Sequence, residues 1–109
     1  MELARGDLVI ATVSGDYGKP RPALVMQHDA FATLPSLTIL PLTSDLRAAP
    51  LIRIDVPGTA ANGLRTASQI MIDKAATIPR AKIGTRIGRL DDATLGHVTR
   101  ALARFLGIQ

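Results

Sequence analysis

The chain has 109 residues and a mass of 11.5 kDa, room for a single domain read here as 1–109. It has no cysteine and only two histidines, His28 and His97, which excludes disulfide scaffolds, thiolate zinc sites and cysteine nucleophiles and leaves no basis for a multi-histidine metal site. Thirteen Lys and Arg against nine Asp and Glu give a net charge of +4 and a pI near 10.4, which points to a polyanionic or acidic partner, the plainer alternative being an Arg-rich solvated surface.

Met1 to Asp7 lacks the basic-then-apolar order of a secretory signal, and no run of about 18 apolar residues occurs. A cytoplasmic chain without membrane contact is expected. Residues 7–13 are apolar and β-branched, and Gly15, Gly18 and Pro20 break them. A second strand is expected over 22–28 and, after a loop at 29–34, a third over 37–43. Pro41 has no N–H to give a ladder, which places it at an edge, a bulge or a strand end. Residues 51–56 alternate apolar and charged side chains, the pattern of a strand with one wet face. Further strands are expected over 68–73 and 83–90. The period then changes: Leu95, Val98, Leu102, Phe105 and Leu106 fall on one helical face. Asp91 and Asp92 precede that face, Arg100 and Arg104 follow in its second half, and Gly107 supplies a stop. With aromatics at 3%, the core must be built from Val, Ile, Leu and Ala. Short strands with frequent turn signals favour a small barrel or sandwich.

Three blocks stand in order along this pattern: Arg5-Gly6-Asp7-Leu8-Val9, Arg21-Pro22-Ala23-Leu24-Val25 and Leu40-Pro41-Leu42-Thr43-Ser44. Together they resemble the MazF/PemK family of toxin endoribonucleases, the toxic half of bacterial toxin–antitoxin pairs. The resemblance implies a mainly β fold with α. That fold is a small SH3-like barrel of the CcdB/PemK type, with short antiparallel strands, a C-terminal amphipathic helix and a homodimeric assembly. It also implies sequence-selective cleavage of single-stranded RNA without metal or cofactor. The ribose 2′-OH attacks its own phosphate and leaves a 2′,3′-cyclic phosphate and a 5′-OH. The partner implied is an antitoxin whose acidic tail replaces RNA charge with carboxylate charge. Such chemistry needs a proton acceptor for the 2′-OH, cationic stabilisation of the phosphorane and a proton for the leaving oxygen.

Carried onto this sequence, the family pattern makes Arg21 the phosphate-facing catalytic arginine, stiffened between Pro20 and Pro22. It makes Thr43 the catalytic threonine, with Ser44 beside it; without the family, the pair is a turn former. Asp73 matches an aspartate that the PemK branch uses as a candidate base. That branch has an arginine two residues earlier, where this chain has Met71. The loop before Arg21 lacks the histidine or glutamate of better-known members, leaving Asp16 and Lys19 as its charged candidates and Tyr17 as a base-stacking candidate. Arg80, Lys82, Arg86 and Arg89 are read as an RNA path, an antitoxin surface or a solvated strand edge. Two rivals remain open. Phe105-Leu106-Gly107-Ile108 resembles the terminus of CcdB-type gyrase poisons, which have a tryptophan where Leu106 stands. Met71 and the reduced loop also fit a catalytically decayed, antitoxin-binding barrel.

Overall fold

The β-branched run after Gly6 forms β1 (Asp7–Thr12) in the computed structural model, which describes residues 2–13 and 19–108. The strands that follow are β2 (Pro20–Val25), β3 (Ser36–Thr43), β4 (Arg53–Val56), β5 (Ser68–Met71), β6 (Ala76–Pro79) and β7 (Ile83–Arg89). All pair antiparallel, in the order β4-β5-β3-β2-β1-β7, with β6 also on β3. The helix α1 (Asp92–Leu106) closes the chain. Among the described residues no helix is long and apolar enough to cross a membrane.

The central strands are apolar on both faces because each face covers a separate core. Leu8, Leu24, Leu40 and Leu42 point into one cluster, which α1 caps with Val98. Their neighbours Val9, Ala11, Ala23, Val25, Leu37 and Ile39 point into the other. This period-two split within one strand accounts for the uninterrupted hydrophobic stretches in the sequence. The sheet curls until the loop after β4 meets β7. Gly63 has φ 73°, and a Cβ there would lie 2.1 Å from the Ile87 carbonyl oxygen, so only glycine fits this closure.

Several sequence expectations shift in detail. β2 begins at Pro20 and ends at Val25, and His28 lies beyond it. Its Nδ1 accepts the Ala30 N–H at 3.0 Å and caps the short 3-10 turn Asp29–Phe31. Leu51 is an exposed turn residue, and β4 starts only at Arg53. β6 went unread because a four-residue strand ending in proline, with one buried side chain, has no visible period. Pro41 sits inside β3, between the segment paired with β6 and the segment paired with β5. The missing N–H thus falls where the strand changes partners.

Candidate active site

Strand register assembles the site. β2 and β3 pair as far as Ala23 and Pro41, with Arg21 and Thr43 each two residues beyond. Thr43 pairs with Gln69 of β5, and Gln69 with Asp55 of β4. Thr43, Gln69 and Asp55 therefore form one row across three strands, and Arg21 lines the same hollows as Thr43. Side chains two residues apart share a face, so Met71 and its cross-strand partner Arg53 lie in the adjacent row.

Two hollows meet at this row. One, of about 560 Å³, is lined by Arg21, Thr43, Asp45, Arg53, Met71, Asp73 and Lys74 together with Val13, Pro41, Ala75 and Ala76. The other, of about 450 Å³, shares Arg21 and Thr43 and adds Ser44, Arg65, Thr66 and Ser68 above an apolar floor that includes Ile10, Leu42 and Ile87. The first carries both charge signs. The second is an apolar pocket rimmed by the hydroxyls of Thr43, Ser44, Thr66 and Ser68.

Local hydrogen bonds set the side chains. The Thr43 Oγ1 accepts the Asp45 N–H at 3.1 Å, which leaves its own O–H to donate toward the hollow. Gln69, buried to 5% exposure, makes four bonds. Its Oε1 accepts from the Arg47 N–H and Arg53 Nη1, and its Nε2 donates to the Arg47 carbonyl and to Asp55. Asp73 keeps 26% of its side chain exposed, and its ion pair with exposed Lys74 is long at 3.8 Å. A pair of that length at an open surface leaves the carboxylate available.

Residues 4–106 match the family described as the PemK-like, MazF-like toxin of type II toxin–antitoxin systems. The chain belongs to this family. It is 45% identical to the probable endoribonuclease MazF of Mycolicibacterium smegmatis over 107 residues, 97% of this chain and 98% of that one. Among solved structures, the Mycobacterium tuberculosis toxin MazF-mt6 superposes with a TM-score of 0.78 at 26% identity, over 94% of this chain and 98% of that one. An endoribonuclease in complex with its cognate antitoxin, from a mycobacterial species, gives a TM-score of 0.80 at 20% identity. It covers 98% of this chain and 97% of that one, a likeness of fold.

Within this toxin fold, Arg21, Thr43 and Asp73 line one hollow, and Ser44 lines the other. Asp73 arrives differently from the sequence expectation. β5 stops at Met71, and Asp73 stands in the 3-10 turn Ile72–Lys74, not two places along a strand from Met71. Lys19 is exposed ahead of β2 and lines neither hollow. Asp16 and Tyr17 lie outside the described residues. The basic run divides: Arg86 and Arg89 pair with buried Asp7, and Arg80 donates to the Ala32 and Leu34 carbonyls. The glycine of the chain's last motif is the helix stop. Gly107 is left-handed at φ 73°, and the Ile108 N–H returns to the Ala103 carbonyl at 3.0 Å. Sequence reasoning missed Arg53 and Arg65. Arg53 sat in an alternating strand with its charged positions assigned to water, and Arg65 lies at the end of a stretch without a period. Strand pairing alone would have found Arg53, opposite Met71.

Proposed function

We propose that the chain, a MazF-type toxin endoribonuclease, cuts single-stranded RNA without a metal, by attack of a ribose 2′-OH on the adjacent phosphorus. The 2′-O–P bond forms as the P–O5′ bond breaks, leaving a 2′,3′-cyclic phosphate and a 5′-OH. Asp73 takes the 2′-OH proton. Arg21 holds the non-bridging oxygens of the phosphorane, and the leaving O5′ takes its proton from the Arg21 N–H. The Thr43 hydroxyl donates to the phosphate and fixes its rotation. Ser44 and Arg65, in the adjoining hollow, hold the base and the next phosphate, with Lys19, Asp16 and Tyr17 as flanking contacts.

The observation that carries the reading is that Arg21, Thr43 and Asp73 line one hollow. The carboxylate serves as the proton acceptor this displacement needs, the guanidinium as both its cation and its proton donor, and the Thr43 hydroxyl orients the phosphate. The arginines around both hollows also suit the acidic segment of an antitoxin, which would compete with RNA for one surface. Exposed Phe105, Leu106 and Ile108 at the end of α1 offer apolar surface for a homodimer.

The test is incubation with a long unstructured RNA in excess EDTA, beside Arg21→Ala. Discrete fragments with cyclic phosphate ends are expected from the parent alone. Intact RNA with folded, antitoxin-free protein sinks the reading and brings forward a gyrase poison or a decayed barrel.

A further inference from the structure

A second guanidinium in the charged hollow has no part in the reaction as written above. Arg53 is half-buried at the start of β4, with its Nη1 tied to the protein. That nitrogen donates to the Asp45 carbonyl and to Gln69 Oε1, each at 3.0 Å. Its Nε and Nη2 make no hydrogen bond among the described residues, and no carboxylate there lies within ion-pair distance of it. The nearby acids are engaged otherwise: Asp45 holds Arg47 at 3.0 Å, Asp73 faces Lys74, and Asp55 accepts from Gln69.

The support under Arg53 is rigid. All four hydrogen-bonding positions of the Gln69 amide are filled, so the amide cannot turn without losing several bonds at a site closed to water. Two neutral acceptors do not require a permanent cation. A fixed, partly desolvated guanidinium with two open donor positions and no counter-charge is instead arranged to receive an anion from outside.

We propose that Arg53 is a second catalytic cation, a phosphate ligand that works with Arg21 on the RNA phosphate in this hollow. The proposal rests on the RNase reading above. Arg21 approaches from β2 and Arg53 from β4, with Thr43 of β3 between them in the sheet, so two forks can hold the non-bridging oxygens from opposite sides. Arg53 thereby supplies, from the neighbouring strand, the positive charge that Met71 does not.

The experiment compares the parent protein, Arg53→Gln and Arg53→Lys. It measures cleavage of an unstructured RNA in EDTA and the salt dependence of binding to the same RNA made cleavage-resistant by 2′-O-methylation. Thermal denaturation checks folding. Arg53→Gln is expected to lower kcat/KM about 10- to 100-fold. It should also reduce the slope of log K against log salt by about 0.7, one phosphate contact on a single strand. Arg53→Lys should restore the slope and only part of the rate, since a point charge replaces a fork. A purely structural role would leave the slope unchanged. On the parent protein itself, the Arg53 Nε–Hε resonance should move as the resistant RNA is added, which needs no folded glutamine variant. Parent-like rate and slope in Arg53→Gln, or a stationary resonance, overturns the proposal while parent cleavage leaves the RNase reading standing. RNA left intact by the parent overturns both.

Discussion

Two arginine clusters sit on this small sheet, built from similar parts to opposite ends. At the start of β1, Asp7 is 4% exposed and accepts from Arg86 Nε at 3.1 Å, Arg89 Nη1 at 3.3 Å and the Ala4 N–H at 2.8 Å. Arg86 and Arg89 are three apart and would face opposite sides of a regular strand. An irregularity in the β1–β7 register at Leu8/Val9 leaves Ile87 without a partner and turns both arginines to the same side. At the mouth of the hollow, the buried group under Arg53 is the neutral amide of Gln69. The lesson lies in the charge of the buried partner. A carboxylate consumes the cation inside the fold, whereas an amide orients it and leaves its charge to act on a ligand.

The two clusters should differ most in catalysis. Arg21→Ala should lower kcat/KM on RNA by about 10³-fold, ~4 kcal/mol of transition-state stabilisation. Arg86→Ala, equally a lost cation, should stay within about threefold, because it removes a strand tie and no phosphate ligand. Equal losses in the two variants would mean that net charge, not placement, drives activity. Asp7→Asn acts on the other side. It leaves two arginines without their buried counter-charge, softened because both are partly exposed to water, and should cost about 2–3 kcal/mol in urea unfolding. The cleavage rate of the folded fraction should hold.

The same contrast explains what the sequence made legible. Arg21 and Thr43 stand out because each sits in a short block that resembles the family pattern, and the structure puts both on one hollow. The aliphatic make-up of the core could be read from composition and α1 from its 3.6-residue stripe, whereas the split into two clusters appears only in the structure. Arg53 could not be read, since its meaning depends on register with Met71 across the connection at 57–67, and no local pattern encodes pairing between such strands. Nor could Asp7 be told from any other acid beside a strand: the bulge that gathers its two arginines belongs to the β1–β7 ladder. The helix stripe was also only partly informative. Leu95, Val98 and Leu102 pack on the core, while Phe105 and Leu106 stay half-exposed on this chain, so a periodic face does not say what will cover it.

A single substitution converts one cluster toward the other. Gln69→Glu puts a carboxylate under Arg53 while bringing it against Asp55, which now accepts from Gln69 Nε2 at 2.8 Å. Cleavage should fall about 10-fold as Arg53 is neutralised from beneath. At high pH the new acid should also lower the Tm, through repulsion from Asp55 and the cost of burying a charge. Removing that acid's partner with Gln69→Glu/Asp55→Asn should recover the stability without recovering the rate. Recovery of both would mean that Arg53 matters only as a brace for the loop at 45–50.

The smallest effect is expected where a carboxylate does structural work in open water. Asp91 caps α1, its Oδ2 accepting the Thr94 N–H and Oγ1–H at 2.9 Å each. These bonds favour the ionised form and hold its pKa below the ordinary carboxylate value, the backbone N–H of Thr94 contributing most. A lowered folded-state pKa gives stability that is present above the unfolded value, near 3.8, and lost as pH falls through the folded one. Asp91→Ala should therefore lower the Tm by a few degrees at pH 7, with the difference from the parent shrinking below about pH 4. Asp91→Asn keeps a capping oxygen without a charge, so its Tm should lie close to the parent's at pH 7 and fall less steeply into acid. If the alanine and asparagine variants melted together, the cap would be acting through charge on the helix end and not through the hydrogen bonds. Asp91 would then resemble the ionic cluster at Asp7 more than a local turn.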